Sequence, residues 1–355
     1  MTTKTAVVVG ALGVIGRYIV ERLAALPDWN VVGLSRRKGE DRGRVRYISV
    51  DLLDTADTAK KLAGLGDATH IFYAAFQSAG AQVAADYARG IAVNRDMLVN
   101  SVSAVERVAR GLQRVVLVTG TKYYGTHLGP FRTPAKEDDP RHMPPNYYFD
   151  QVDWLMAQQK GKPWTWTELR PQTLCGFAPG TAMSILPAIA VYAAVSKELG
   201  LPLRFPGKPG AYNTVYQVTE SSHFASAALW AATEAKCANQ AFNITNGDYF
   251  RWRTVWPKIA AVFDMKVGEV QTISLTRHMA DKAPLWERMA NRYGLKRFDY
   301  DQLVAWPFAD YVFGSDWDVM SDVTKSRQYG FDDVVDSEAM FERMLKRFRD
   351  EKVVP

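Results

Sequence analysis

Cysteine is nearly absent from this chain. Two thiols in 355 residues, Cys175 and Cys237, give neither a disulfide framework nor a CxxC pair. That excludes a disulfide-stapled secreted scaffold and fits a reducing, cytoplasmic location. Five histidines (His70, His127, His142, His223 and His278) are dispersed without metal-ligand spacing, so no metal site is expected. There is no GxSxG elbow, which removes the serine-hydrolase reading. Long apolar runs are also missing. The N-terminal one, residues 6–9, breaks at glycines and runs into an amphipathic pattern, so strand-then-helix fits better than a signal peptide. A later run, residues 185–195, contains Pro187 and is too short to span a bilayer, so no membrane partner is expected. Internal repeats and low-complexity linkers are absent as well. Net charge is +6 and the isoelectric point about 9.1, yet the basic residues are scattered instead of forming the patch that nucleic acid requires.

What is present is ordinary globular composition, 47% hydrophobic and 23% charged, which argues against disorder. The ten Trp, sixteen Tyr and sixteen Phe supply more rigid apolar surface than a core strictly needs. Short buried-strand patterns at residues 5–9, 31–34, 45–50, 71–75, 115–118 and 164–169 alternate with helical periodicity, notably over 55–65 and 84–110. Each crossover long enough to carry a helix implies a parallel βαβ unit. The fold expected is α/β, a Rossmann-type doubly wound parallel sheet. A possible seventh strand at 242–244 follows an insert, with a helix over 183–199 before it and mostly helical chain from 252 onward.

The first strand runs into Gly10, Ala11, Leu12, Gly13, Val14, Ile15 and Gly16, a GxxGxxG turn opening a helix. Glycines at these spacings permit a tight turn, close approach of a diphosphate and close helix–strand packing. The following helix offers unpaired N–H groups and the positive end of its dipole. Gly10, Leu12, Gly13, Val14 and Gly16 are therefore cofactor candidates. An NAD site places a carboxylate at the end of the second strand. This chain places Ser35, Arg36 and Arg37 there instead, and two guanidiniums suit a 2′-phosphate, so NADP(H) is the cofactor expected. Asp51 and Leu52, at the third strand end, would lie beside the adenine. The domain expectation is an NADP-binding Rossmann domain over 1–175, completed by roughly 212–248, with 176–211 and 249–355 forming a smaller substrate-binding region.

The GxxGxxG turn suggests the short-chain dehydrogenase/reductase class, but the Tyr-x-x-x-Lys signature of that class is missing. Four residues after Tyr148 stands Val152, and four after Tyr147 stands Gln151. Lys122, just past the fifth strand and its terminal Thr119, could supply the absent ammonium. From the residues alone, chemistry and packing both fit: a tyrosine beside Tyr147 and Phe149 can be core, and a lysine past a strand can be solvated.

The stretch TGTKYYG…GPF followed by PNYYFDQVD resembles the progesterone 5β-reductase/iridoid synthase family of atypical extended short-chain dehydrogenases/reductases. That family carries TGxKHYxGPF and NFYYxxED motifs. Other segments match in the same order: Leu34 to Arg37 (LSRR), Phe72 to Phe76 (FYAAF), Arg170 and Pro171 with Gly176 and Phe177, Phe242 to Asp248 (FNITNGD), and Pro284 to Glu287 (PLWE). The C-terminal KVVP matches too, so the likeness spans essentially the whole chain. Departures are Tyr123 for the motif histidine, an insertion of Gly125, Thr126 and His127, Val152 for a glutamate, and Phe76 where plant members often carry tryptophan. The last and the insertion touch the substrate side and argue against a steroid.

The resemblance implies an NADPH-dependent reductase of the activated C=C bond in enones or enals, with Lys122 and Tyr148 as catalytic residues. It also implies cofactor contacts at Ala75, Phe76, Thr119, Leu174, Thr181, Ala182 and Met183. A substrate pocket of Phe76, Phe131, Met183 and Phe308 follows, as does a possible homodimer. Each aromatic could equally be core. Competing readings are a carbonyl reductase, an extended-class epimerase or dehydratase, and a non-enzymatic NADP-sensing regulator.

Overall fold

The structure, a computed structural model, describes residues 3–77, 84–178 and 184–355, without the side chains of 84–87. Strands β1 (Lys4–Val9), β2 (Trp29–Ser35), β3 (Val45–Ser49), β4 (His70–Tyr73), β5 (Arg114–Val118) and β6 (Thr165–Pro171) follow in chain order. A two-residue pair, β7 (Leu174–Cys175) and β8 (Thr219–Glu220), stands apart, and β9 (Gln240–Ile244) completes the main sheet. That sheet has seven strands in the order β3-β2-β1-β4-β5-β6-β9. Every pairing in it is parallel. The near-continuous apolar sequence of β1 and β5 is what strands covered on both faces require.

Period-two alternation divides the core. Ala6 and Val8 of β1, with Val116 and Val118 of β5, face one layer. Val7 and Val9, with Val115 and Leu117, face the other. Helices α1 (Gly16–Ala24), α2 (Thr55–Leu62), α3 (Ala84–Val108), α4 (Tyr147–Gln159), α5 (Ile185–Glu198), α6 (Pro209–Asn213), α7 (Ser221–Thr233) and α8 (Trp252–Val262) follow in order, with shorter helices and three longer ones, Ala283–Tyr293, Trp306–Gly314 and Ser337–Asp350, beyond. Tyr18, Ile19 and Leu23 of α1 and Phe224, Ala228 and Ala231 of α7 cover the first face. Leu62 of α2, Leu98 and Val105 of α3, and Val152 and Leu155 of α4 cover the second.

A third core joins Cys175, α5, α8, Trp306–Gly314 and Ser337–Asp350. Most of the surplus aromatics go here. Phe205 and Trp256 meet edge-on at 5.2 Å, as do Phe250 and Trp252, geometry that adds to simple burial. The sheet order reverses between β1 and β4, and in open α/β sheets the crevice beyond the strand ends at such a point is where ligands bind.

Element edges shift from the sequence expectation by a few residues. The helix expected over 84–110 ends at Val108, and β4 ends at Tyr73, which leaves Ala74 and Ala75 as loop at the crevice. The β7–β8 pair has no sequence signal, because two residues show no period.

Candidate active site

A cavity of about 920 Å³ opens at the carboxyl ends of β1, β2, β4, β5 and β6. Its floor is the glycine turn. Gly10 adopts φ +85°, and a Cβ there would stand 2.8 Å from the Ala74 carbonyl oxygen, so only glycine fits. The N–H groups of Gly10 and Ala11 donate to the Leu34 carbonyl at 2.9 and 3.0 Å, tying the turn to the end of β2. No side chain caps α1; the Arg17 and Tyr18 N–H groups donate to the Gly13 and Ile15 carbonyls at 3.2 and 3.1 Å, and Gly13, Val14 and Ile15 form this wall of the cavity at the helix start.

Ser35, Arg36 and Arg37 line the cavity from the end of β2, and Asp51 and Leu52 from the segment after β3. Arg36 Nη1 donates to Gln77 Oε1 at 3.1 Å, and Arg37 Nη2 to the Leu12 carbonyl at 3.3 Å. Both arginines are exposed, which leaves them room to turn toward an anion. Asp51 Oδ1 accepts from the Leu53 N–H at 3.1 Å, a local turn bond.

At the opposite end, β5 gives way to Thr119, Gly120 and a 3₁₀ turn, Thr121–Tyr124, that carries Lys122. Helix α4 begins at Tyr147 after Asn146, whose Oδ1 accepts the Tyr148 N–H at 3.0 Å as an N-cap. A Cβ on Gly120 would meet the Tyr148 hydroxyl at 3.1 Å, so the glycine lets the phenol lie across the strand end. Lys122 and Tyr148 both line the cavity. The Lys122 ammonium stands 5.4 Å from the Tyr311 ring centroid, and no carboxylate pairs with it among the described residues. Burial pulls its pKa below the usual lysine value.

A neighbouring ammonium should favour ionisation of the phenol, but burial dominates and pushes Tyr148 up to about 12, against the lowering effect of a hydrogen bond with Tyr147. Lys122 is itself desolvated and does not offset this. The Tyr148 phenol is held neutral here.

Behind the pair lies a buried polar network. Arg170 and Glu168, on β6, form an ion pair with Nη2 2.8 Å from Oε2 at 3% and 1% side-chain exposure. Thr119 Oγ1 donates to Glu168 Oε1 at 2.6 Å. Arg170 Nη1 donates to the Tyr124 hydroxyl at 2.9 Å, which donates in turn to Asn243 Oδ1 at 2.6 Å. The guanidinium also stacks on Tyr123, 3.5 Å from the ring centroid. The turn bearing Lys122 is thus held on both sides of the lysine.

Of the residues singled out in the sequence, the cavity brings together Gly10, Leu12, Gly13, Val14, Ser35, Arg36, Arg37, Asp51, Leu52, Ala75, Phe76, Thr119, Lys122, Tyr148, Leu174 and Phe308. Gly16 does not line it. It supports the turn from beneath, where a Cβ would collide with the Gly10 carbonyl. Phe131 is not among the lining residues; it packs against the cluster of Tyr123, Tyr124, Ala135 and Phe149 and against the third core. Thr181, Ala182 and Met183 lie outside the described residues. Asp153, the acid kept from the family motif, is exposed and pairs with Arg141 at 2.7 Å.

Sequence reasoning missed Thr121, Gln172, Gln77, Gln151 and Tyr311, all of which line the cavity. Thr121 and Gln172 hydrogen-bond each other across the strand ends. Buried Asn94 on α3 exchanges two bonds with the Gln77 backbone, at 3.0 and 2.9 Å. Lone amides and hydroxyls carry no spacing signal, so only the folded chain gathers them. The inserted loop also gains a place: Thr126 Oγ1 lies 3.2 Å from the Tyr311 hydroxyl, and the His127 ring packs edge-on against His142 at 5.4 Å.

A profile for the PRISE-like Rossmann-fold domain matches residues 48–355. The chain belongs to this family. PRISE-like relatives extend the likeness across the glycine turn, which the profile match leaves out. An (S)-8-oxocitronellyl enol synthase from Nepeta cataria is 33% identical over 99% of this chain and 93% of its own. A 3-oxo-Δ4,5-steroid 5β-reductase from Arabidopsis thaliana is 31% identical with the same coverage, and a short-chain dehydrogenase from Penicillium aethiopicum is 30% identical over 99% of both chains. Among solved structures, a UDP-glucose 4-epimerase from Thermotoga maritima superposes with a TM-score of 0.69 over 98% of this chain and 99% of its own, at 16% identity, a likeness of fold. This PRISE-like chain is an oxidoreductase with the short-chain dehydrogenase/reductase fold.

Proposed function

We propose that this protein reduces the activated C=C bond of an enone or enal with NADPH, by 1,4-addition. The observation that carries this reading is the convergence of Lys122 and Tyr148, from separate elements, on the crevice that the glycine turn floors. The relatives named as an enol synthase and a steroid 5β-reductase support it.

The residues fit a dinucleotide phosphate. Gly10 leaves a cradle that a Cβ would fill, α1 has no side-chain cap, and two exposed arginines replace the carboxylate of an NAD site. When bound, NADPH supplies the hydride. Gly10, Gly13 and the start of α1 hold the diphosphate; Arg36 and Arg37 clamp the 2′-phosphate. Addition at the β-carbon puts negative charge on the substrate oxygen. Tyr148, kept neutral by burial, donates a hydrogen bond to that oxygen, an oxyanion-hole role, and a proton from solvent water at the α-carbon completes the saturated carbonyl. The desolvated Lys122 ammonium adds positive potential and holds the ribose hydroxyls. Phe76, Phe308 and Tyr311 give the substrate an apolar wall, which suits a small hydrophobic enone or enal. We assign 176–211 and 249–355 to the substrate side, the cytoplasm as the compartment, and a homodimer as the assembly.

The test is product analysis with NADPH and a panel of enones, enals and ketones. Saturated carbonyl products are expected; allylic alcohols would move the reading to carbonyl reduction. In the same assay Arg36→Ala with Arg37→Ala should weaken NADPH at least tenfold more than NADH, the scale of losing charge-assisted bonds worth roughly 1.5–3 kcal/mol. Equal loss for both cofactors would remove the 2′-phosphate assignment.

A further inference from the structure

In a Tyr-x-x-x-Lys helix the two side chains sit one turn apart, so the helix itself sets their spacing. Here the groups come from different elements: Lys122 from the 3₁₀ turn after β5, Tyr148 from the start of α4. Something else must fix one against the other. Asn146 touches the backbone of both. Its Nδ2 donates to the Lys122 carbonyl at 2.8 Å, and its Oδ1 accepts from the Tyr148 N–H at 3.0 Å. The side chain is buried, at 2% exposure.

We propose that Asn146 is a positioning residue that sets the register of Lys122 against Tyr148; the inference rests on reading that pair as the reacting groups. A helix cap alone would not require asparagine, because Ser and Asp supply the same acceptor about equally well. Only an amide of this length offers an acceptor to α4 and a donor to the turn at once. The turn is otherwise primed to be held. It closes in Gly125 at φ +83°, where a Cβ would stand 3.2 Å from the His142 ring. His142 Nδ1 lies 2.7 Å from the Met143 carbonyl, while Nε2 lies 3.0 Å from the Lys122 carbonyl and 3.1 Å from Asn146 Nδ2. The Lys122 carbonyl is therefore the meeting point of the loop before α4 and the turn after β5, and Asn146 continues the connection into the helix.

The experiment uses two variants that keep the cap, Asn146→Ser and Asn146→Asp, in the full-length enzyme at saturating NADPH. Both should lower kcat about tenfold to a hundredfold, the scale of a misplacement near 1 Å, while the KM for NADPH, which Lys122 also serves through the ribose, rises by less than kcat falls. In a Lys122→Met background, Asn146→Ser should cost less than about a further twofold, because a residue acting through Lys122 has nothing left to position. Wild-type kcat in either cap-preserving variant overturns the proposal. So does a multiplicative loss in the Lys122→Met background, or a KM that rises as much as kcat falls. If Lys122→Met and Tyr148→Phe alone leave turnover unchanged, it is the functional reading that fails, before Asn146 is tested.

Discussion

Tyr148 and Lys122 respond to the same burial in the manner their charges dictate. A phenol loses its anion in a dry site and rises to about 12, whereas an ammonium loses its cation and falls. Both are pushed toward neutrality, and this sets the pH behaviour. The Tyr148 donor stays protonated throughout the working range. The Lys122 charge is lost as pH rises, earlier than for a free lysine. The kcat–pH profile should therefore show one alkaline limb, belonging to Lys122 and absent from Lys122→Met. Tyr148→Phe should keep the limb but lower kcat by about 10²- to 10³-fold, as loss of an oxyanion donor does. A limb that survives in Lys122→Met would reassign the titration. Val152 shows why the missing motif lysine does not return to the helix. It is buried in the core beneath α4, and an ammonium there would have no partner.

At the scale of elements, the end of β6 is the anchor of the site. Glu168 and Arg170 are two apart and so emerge on one face of the strand, where they reach Thr119 on one side and Tyr124 on the other. Their charges are almost fully desolvated, so each is tolerable only with the other. Arg170→Met should destabilise the fold by about 3–5 kcal/mol, because it strands a buried carboxylate. Urea unfolding is the measurement, and a loss under 1 kcal/mol would mean the pair contributes little. The inserted Gly125, Thr126 and His127 belong to the same scale. Sequence marks them as extra length in a motif, whereas the fold puts Thr126 against Tyr311 of Trp306–Gly314 and so links the lysine-bearing turn to another wall of the cavity.

Over the whole molecule, acid should be felt through buried histidine. His70 is 2% exposed and held down to about 4, first by burial and then by the charges of Arg114 and Lys4. Its folded form is neutral, while the unfolded chain takes up a proton near pH 6.5. Stability from this group is therefore complete above about pH 6.5 and drains away as pH falls toward 4, by on the order of 3 kcal/mol. His127, also lowered to about 4, acts in the same direction. The melting temperature should decline between pH 6.5 and 4.5, and the decline should be shallower in His70→Gln. An unchanged slope would place the acid sensitivity elsewhere.

The parallel Rossmann architecture was legible because its signals are local: apolar runs for doubly covered strands, and helices between them. The glycine turn and the arginines after β2 were legible for the same reason, since a turn and a strand end are read over a few residues. Lys122 and Tyr148 were legible as a candidate pair from the missing Tyr-x-x-x-Lys lysine, but only family motifs favoured chemistry over packing, because nothing in their spacing joins two elements so far apart in the chain. Tertiary structure alone decided the rest. It turned the surplus aromatics into a third core, left Phe131 out of the cavity lining, and gathered Thr121, Gln172, Gln77 and Tyr311 into it. It also let burial raise the Tyr148 phenol. Backbone preference and hydrophobic period are short-range properties written in neighbouring residues. Desolvation and side-chain hydrogen bonds depend on which distant residues the folded chain brings within a few ångströms.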